Sequence, residues 1–317
     1  YWKQELLPQN QNNKQQLKNR TMESNKEKFL RDGYVIIDVL SQQEIDEFRT
    51  LMDELISPKI QAESTEKKSS SFQHLGDNLS DFGKEARQYY FHLLTKPGTE
   101  PIHHAFHHPV ILKAVEELIG PNLIVNNASI LAANVGTEYS LGWHRDVIQI
   151  PQDEIADWLF SPERFHNSVQ INLPLVEENS LWIVPGSHNR PNTEAENAAF
   201  GGSKHYAPVG VEMPGGVPVT LKAGQAVLYN NNLIHRGYTE KMKVPRRTLH
   251  MGYHSADNPP TWHFYLLNGD LLSPDYLATL SPTMRRMMEE YLECRAKYPE
   301  MSETWKREYN FPEEFAQ

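Results

Sequence analysis

The sequence predicts a mainly β protein in which a core of short strands is flanked by helices. Between residues 123 and 253, short apolar runs alternate with clusters of Gly, Pro and Asn. This alternation is typical of a sandwich or barrel. Apolar residues recur at helical spacing on both sides of the region, and the chain shows no internal repeat.

The N-terminal part predicts a polar segment, a strand and then a helix. Residues 1–25 are rich in Gln, Asn and Lys and are expected to form a tail or a loosely docked helix. Order is expected to begin at Gly33, and a strand follows it. Ser41 then fits a helix N-cap, with Glu44 as its capping-box partner, and residues 45–55 carry apolar positions at helical spacing.

The rest of the chain predicts a polar loop at residues 57–82, a helix at 109–118 and a C-terminal helix from residue 281 to about 298. The predicted strands of the core lie at 123–126, 129–133, 169–175, 181–184, 217–221, 226–229 and 248–253. We therefore expect a single domain over residues 26–317. Its β core would span about 123–254, and its C-terminal helices about 274–310.

Composition narrows the functional classes. The formal charge of -10 argues against a basic nucleic-acid-binding face. No run of 18 apolar residues or apolar leader is present, and the single Cys294 excludes an intrachain disulfide. These features favour a cytoplasmic location, and the start at Tyr1 rather than Met is compatible with a trimmed N-terminus.

Two histidines and an aspartate form the first candidate for chemistry. His144 and Asp146 are two residues apart, so on a strand they would face the same side. This pair alone is weak evidence, and His235, which follows an apolar strand and an Asn run, could be an ordinary loop histidine. Two histidines and one carboxylate are nevertheless the facial triad of non-haem iron(II) oxygenases, which leaves positions open for a co-substrate and dioxygen.

Arg246 and Thr248 share one face of the next predicted strand. An arginine offers a two-pronged donor to a carboxylate, and a threonine adds a hydroxyl donor. A buried arginine needs an anionic partner, which a dicarboxylate co-substrate would supply. The alternative is that Arg246 and Arg247 form a solvated basic pair.

Other histidines favour structural roles. The cluster at residues 103–108 could be a second metal site, but Glu100 is the only close carboxylate, and a solvated helix start is the preferred interpretation. His188, at the end of a Pro-Gly-Ser-His stretch, is expected to hold a turn by hydrogen bonds rather than to bind metal.

Taken together, these motifs resemble the phytanoyl-CoA dioxygenase family of iron(II)- and 2-oxoglutarate-dependent oxygenases. The resemblance runs from about Gly33 to Tyr253. Its motifs are residues 33–35, 108–112, 118–121, 144–146 and 178–188, and His235 with Arg246 eleven residues later. One departure is Asn179-Ser180, where the family usually has Asn-Gly.

The resemblance implies a fold and a set of site residues. The fold would be a double-stranded β-helix, a cupin-like jelly roll. His144, Asp146 and His235 would bind iron(II). Arg246, with Thr248 assisting, would pair with the far carboxylate of 2-oxoglutarate.

The resemblance also bears on the pocket and the reaction. Gln170 and Asn172 share a face of a strand that lines the co-substrate pocket in similar proteins, and one of them is expected to contact 2-oxoglutarate. Related halogenases have Gly or Ala in place of the triad carboxylate, so Asp146 favours hydroxylation.

The predicted function is therefore an O2-dependent hydroxylation of an unactivated C–H bond in a small or medium organic molecule, with release of succinate and CO2. Three alternatives remain. They are a related oxidation (desaturation, ring formation or epoxidation), a sensor of iron or 2-oxoglutarate without turnover, and a zinc or manganese enzyme on a cupin-like barrel.

Overall fold

The computed structural model describes residues 23–55, 88–90, 100–133, 135–136, 138–146, 167–203, 206–257 and 274–297. The helices are α1 (Asn25–Asp32), α2 (Gln42–Leu55), α3 (Pro109–Ile119), α4 (Glu194–Phe200), α5 (Pro274–Thr279) and α6 (Pro282–Lys297), with 3₁₀ helices at Glu100–His107 and Ser187–Asn189. The strands are β1 (Tyr34–Asp38), β2 (Gln88–Tyr90), β3 (Leu123–Ala133), β4 (Tyr139–Ser140), β5 (Ser168–Pro174), β6 (Glu178–Ile183), β7 (Val217–Leu221), β8 (Gln225–Tyr229), β9 (His235–Thr239) and β10 (Arg246–Ser255). Predictions for the chain start to residue 22, for the loop at 57–82 and for 298–310 lie outside the described residues.

The strands form two antiparallel sheets. The larger has the order β1-β8-β5-β10-β3-β2, and the smaller has the order β4-β9-β6-β7. Neighbours in space are mostly distant in sequence, as when β10 pairs with β3 on one side and β5 on the other. The predicted fold class, mainly β with flanking helices, is confirmed.

The strand predictions are mostly confirmed, with shifted ends. β7 covers the predicted residues, whereas β3 continues through the break predicted between residues 126 and 129. β9 was not predicted, because His-Arg-Gly-Tyr-Thr lacks the apolar alternation of a half-buried strand. It forms because β6 supplies a backbone ladder, in which Ile183 pairs with His235.

The two faces of the larger sheet differ in chemistry, because side chains alternate along each strand. One face of β5 and β10 is apolar and belongs to the main core, which also takes in the Met-rich side of α6. The opposite face is polar although it is buried. Its polar residues on these two strands include Gln170, Asn172, Arg246, Thr248 and His250. A buried polar face of this kind needs partners for each group, which is the usual condition of a binding site rather than of a core.

A second apolar cluster joins the two sheets. Leu181 and Ile183 of the smaller sheet pack with Val227 and Tyr229 of the larger one. The sheets therefore face each other, and the polar face of β5 and β10 lies on the side where they meet.

Helix α1 corrects the prediction that order begins at Gly33. Ser24 caps α1 and forms a capping box with Glu27, a signal present in the sequence. Gly33 ends the helix with φ +82° and donates its N–H to the carbonyl of Phe29. This left-handed conformation is accessible to glycine at little cost, so the chain can turn directly from α1 into β1.

The helix predictions that fall on described residues hold elsewhere. The Ser41 N–H donates to the Glu44 carboxylate at 2.7 Å and the Glu44 N–H donates to the Ser41 hydroxyl at 3.4 Å, as the predicted capping box requires. Helix α4 was missed, although Thr193 and Glu196 form a second capping box. Among the described residues, no helix is long and apolar enough to cross a membrane.

Candidate metal centre

The structure brings His144, Asp146 and His235 together. Nε2 of His144 lies 3.4 Å from Asp146 Oδ1, and Nε2 of His235 lies 3.4 Å from Asp146 Oδ2. The three candidate ligand atoms are all within 4.8 Å of one another, and all three residues are buried. This is the only group of three or more potential ligands of this kind in the part of the chain that the structure describes.

Backbone hydrogen bonds hold the three residues in place. His144 and His235 form an isolated antiparallel bridge, in which each N–H donates to the other's carbonyl at 2.9 Å. The Asp146 N–H donates to the carbonyl of Asn231 at 3.0 Å. The sequence interpretation put His144 and Asp146 on a strand. The structure gives a single bridge at His144 followed by a bend, which still turns both side chains to the same side.

The tautomers of both histidines follow from their partners. Nδ1 of His144 lies 2.9 Å from the Gly142 carbonyl, and Nδ1 of His235 lies 2.8 Å from the Leu233 carbonyl. Because a carbonyl only accepts, Nδ1 carries a proton in each ring, and Nε2 is the ring atom that faces Asp146. Two imidazole Nε2 atoms and a carboxylate converging in this way fit an iron(II) ion.

Gln170 fixes the orientation of the Asp146 carboxylate. Its Nε2 donates to Asp146 Oδ2, and its Oε1 accepts a hydrogen bond of 2.7 Å from the Tyr229 hydroxyl. Because a carboxylate only accepts, the NH2 end of the amide faces Asp146, and Tyr229 holds the opposite end. Gln170 was predicted as a possible contact of 2-oxoglutarate. The structure places it against a candidate metal ligand, and the predicted co-substrate contact stays a prediction.

Arg145 anchors the loop between the two candidate ligands of the His-x-Asp motif. Its guanidinium donates to the carbonyls of Ser187 and Asn232, both at 2.6 Å, and to Asn192 Oδ1 at 2.8 Å. Burial lowers the pKa of Arg145 to about 9, so the group stays charged at neutral pH. A single buried cation thus ties the Pro-Gly-Ser-His stretch and the Asn run to the candidate metal centre.

His188 belongs to no metal-binding group among the described residues, and the hydrogen bonds predicted for it in the turn stay a prediction for its ring. It is fully buried, and its carbonyl accepts a hydrogen bond from Asn232 Nδ2 at 2.7 Å. A Cβ on Gly33 would lie 2.7 Å from His188 Nδ1, so the ring packs directly against the α1–β1 turn. Most of the histidine cluster before α3 lies in the 3₁₀ helix Glu100–His107, and the cluster joins no metal-binding group within the described part of the chain. His103 is buried, however, so the prediction of a fully solvated helix start is wrong there.

Arg246 and Thr248 are buried, which excludes the solvated basic pair for Arg246. Their partner is Glu178, at the start of β6, which the sequence analysis did not single out. Arg246 Nε and Nη2 donate to the two oxygens of Glu178 at 2.9 and 3.2 Å, and Thr248 Oγ1 donates to Oε2 at 2.5 Å. Arg246 and Thr248 therefore form a carboxylate-binding pair, as their residue types predict, and Glu178 supplies a carboxylate to it.

Asn172 lies on the same polar face of β5 as Gln170, on the side of Gln170 that is nearer to Thr248. Its Oδ1 is 2.7 Å from Nδ1 of His250, the residue directly opposite it on β10. His250 was not predicted, since a single histidine in an apolar strand gives no signal of its own. The prediction that Asn172 contacts 2-oxoglutarate stays open.

Comparison with known proteins places the chain in a family. The family model described as Phytanoyl-CoA dioxygenase (PhyH) matches residues 29–248. The chain belongs to this family. The protein is accordingly an iron- and 2-oxoglutarate-dependent oxygenase, as the resemblance implied, and every predicted site residue lies within the matched segment. No curated protein matched the chain in a sequence search.

Solved structures with the same fold include two at low sequence identity. The epimerase SnoN, in complex with Fe3+, alpha ketoglutarate and nogalamycin RO, has a TM-score of 0.54 and 20% identity, covering 79% of this chain and 91% of SnoN. The non-heme monooxygenase ThoJ, as its nickel complex, has a TM-score of 0.50 and 17% identity, covering 89% of this chain and 100% of ThoJ. At these identities the likeness establishes the fold, and the predicted jelly-roll core is confirmed.

Proposed function

We propose that the protein hydroxylates an unactivated C–H bond of a small or medium organic molecule, using iron(II) held by His144, Asp146 and His235. The observation that carries this proposal is the convergence of two Nε2 atoms on one carboxylate, each at 3.4 Å, in a family of oxygenases. When bound, iron and 2-oxoglutarate would supply the oxidation, in which dioxygen is consumed and 2-oxoglutarate gives succinate and CO2.

The protein's own residues would position the reactants and exclude water. The carbonyls of Gly142 and Leu233 hold Nδ1 of the two imidazoles, so Nε2 of each would face the metal, and Gln170 holds the carboxylate. Arg246 and Thr248, which hold the Glu178 carboxylate in this structure, would bind the far carboxylate of 2-oxoglutarate in its place. Because these groups are buried, their hydrogen bonds would be stronger than in water.

Asp146 supports hydroxylation over halogenation, because a carboxylate stands where a halogenase of this kind has a small residue. The epimerase SnoN and the monooxygenase ThoJ share the fold, so the fold alone leaves the type of oxidation open. The small-molecule substrate is likewise part of the proposal. SnoN, which shares the fold, is described in complex with alpha ketoglutarate and nogalamycin RO, and the net charge of -10 of this chain disfavours a polyanion.

The test is succinate formation that depends on both iron(II) and 2-oxoglutarate. We expect Asp146→Ala and His144→Ala to abolish it, whereas the exposed Asp275→Ala on α5 should leave it unchanged. Retained turnover in Asp146→Ala would contradict the assignment. Turnover with zinc or manganese and no 2-oxoglutarate would instead favour a different metal enzyme.

Substrate candidates are then screened by the increase in succinate release that they cause. Mass spectrometry of the product after reaction under 18O2 separates the outcomes. One labelled oxygen in the product supports hydroxylation, whereas loss of two hydrogens without label indicates desaturation or ring formation.

A further inference from the structure

The carboxylate of Glu178 occupies the pair of donors that the proposed function assigns to 2-oxoglutarate. Two guanidinium nitrogens of Arg246 and the hydroxyl of Thr248 donate to it, at 2.9, 3.2 and 2.5 Å. The exposed fractions of Arg246, Glu178 and Thr248 are 3%, 8% and 0%. The carboxylate is therefore held by a buried, two-pronged charge pair with an added hydroxyl donor, the arrangement that binds carboxylates most strongly.

The polar face has two ends: the candidate metal centre lies at one end, and the Glu178 carboxylate lies at the other. Along β10 the polar face runs from Arg246 through Thr248 to His250, and on β5 it continues from Asn172 to Gln170, which contacts Asp146. A molecule that coordinates a metal at one end and pairs with Arg246 at the other would lie along this face. On the proposed function, its far carboxylate would take the position that Glu178 holds.

Two carboxylates at one guanidinium repel each other, and the repulsion is large where water is excluded. If a dicarboxylate replaces Glu178 on Arg246, the arginine stays paired, and the displaced Glu178 carboxylate has to turn to water or take up a proton. The β6–β7 ladder shifts register between Glu178 and Leu181, which places Glu178 at an irregular end of its strand.

We propose that Glu178 is an internal competitor for the carboxylate anchor and thereby sets the protein's affinity for dicarboxylate co-substrates. The inference rests on the proposed function. It differs from a purely structural role for the ion pair, in which Glu178 holds Arg246 ready for the co-substrate. On that view, loss of the Glu178 charge would weaken binding of 2-oxoglutarate.

The test is the dissociation constant of 2-oxoglutarate for the manganese(II)-loaded protein, measured by calorimetry without oxygen. Coupling between close buried charges corresponds to about tenfold or more in affinity, so Glu178→Gln should lower the constant by at least about tenfold. The matched control is Glu177→Gln, which removes the same charge from an exposed neighbour and should change nothing. Binding of 2-oxopentanoate, which has no far carboxylate, should change much less than binding of 2-oxoglutarate.

A second readout is thermal unfolding. Glu178→Gln leaves Arg246 without its carboxylate and should melt lower than the native protein, and 2-oxoglutarate should then raise its melting temperature more than that of the native protein. If Glu178→Gln does not fold, Glu178→Ala is measured in the same way.

An unchanged or increased dissociation constant in the Glu178 variants would overturn the inference. In that case the proposed function would still stand if the native protein binds 2-oxoglutarate and Arg246→Met does not. If manganese binds but no variant binds 2-oxoglutarate, the proposed co-substrate role of Arg246 is overturned and the inference falls with it.

Discussion

The hydrogen bond from Gln170 to Asp146 gives the sharpest test of how the candidate metal centre is held. Replacing Gln170 with Leu keeps a side chain of similar size on β5 but removes the donor to Asp146 Oδ2. The carboxylate then loses the contact that fixes its orientation between the two histidines. We expect the affinity for a divalent metal to fall, with the fold retained.

The size of the loss follows from the contacts. Removing a hydrogen-bonded partner of a metal ligand typically lowers metal affinity by about 10–100-fold. At about 1.4 kcal/mol for each factor of ten, this corresponds to about 1.4–2.8 kcal/mol. Tyr229→Phe removes the hydrogen bond to Gln170 Oε1 and leaves the contact between Gln170 and Asp146. A neutral hydrogen bond is worth about 1 kcal/mol, so we expect the metal affinity to fall by about fivefold.

The measurement is competition for manganese(II) between the protein and a fluorescent chelator, without oxygen or 2-oxoglutarate. The control is Asn172→Leu, a similarly buried change on the same strand whose hydrogen bond goes to His250 and not to Asp146. It should leave the metal affinity within about twofold, because it removes no contact to a candidate ligand. Equal metal affinities for Gln170→Leu and the native protein would refute the role assigned to Gln170.

Two further predictions concern stability. Gly33→Ala should lower the free energy of unfolding, measured by urea titration, by about 1–3 kcal/mol more than Gly202→Ala does. Both glycines have φ +82°, but only at Gly33 would the new Cβ lie 2.7 Å from His188 Nδ1. Equal losses in the two variants would contradict this packing. Burial tends to raise the pKa of Glu196, but hydrogen bonds, led by that from Arg190, lower it below its usual 4.5. The stability that Glu196 contributes is therefore present above pH 4.5 and lost as the pH falls below it. The difference in unfolding free energy between the native protein and Glu196→Gln should accordingly shrink between neutral pH and about pH 3. A constant difference would refute this expectation.

The strands and most helices could be predicted because their signals are local. Alternation in β7 and the capping box of α2 depend on residues a few positions apart. The capping boxes of α1 and α4 were equally readable but were overlooked among polar residues. β9 could not be predicted, because its pairing with β6 and not its own composition makes it a strand.

The candidate site was predictable where residue type limits the chemistry. His144, Asp146 and His235 followed from the facial-triad pattern and the family resemblance. Glu178 was part of a quoted motif, but its contact with Arg246 joins residues 68 positions apart, and no local pattern shows it. Gln170 was placed on the correct face, whereas its actual partner depends on how the loop carrying Asp146 folds back.

The mutual backbone bridge between His144 and His235 has an evolutionary consequence. The two histidines are fixed to each other through their own main chains, so the distance between them does not depend on the length or sequence of what connects them. Descendants of such a chain can therefore vary much of the connecting segment without separating the two histidines, provided that Asp146 and Gln170, which lie within it, are kept.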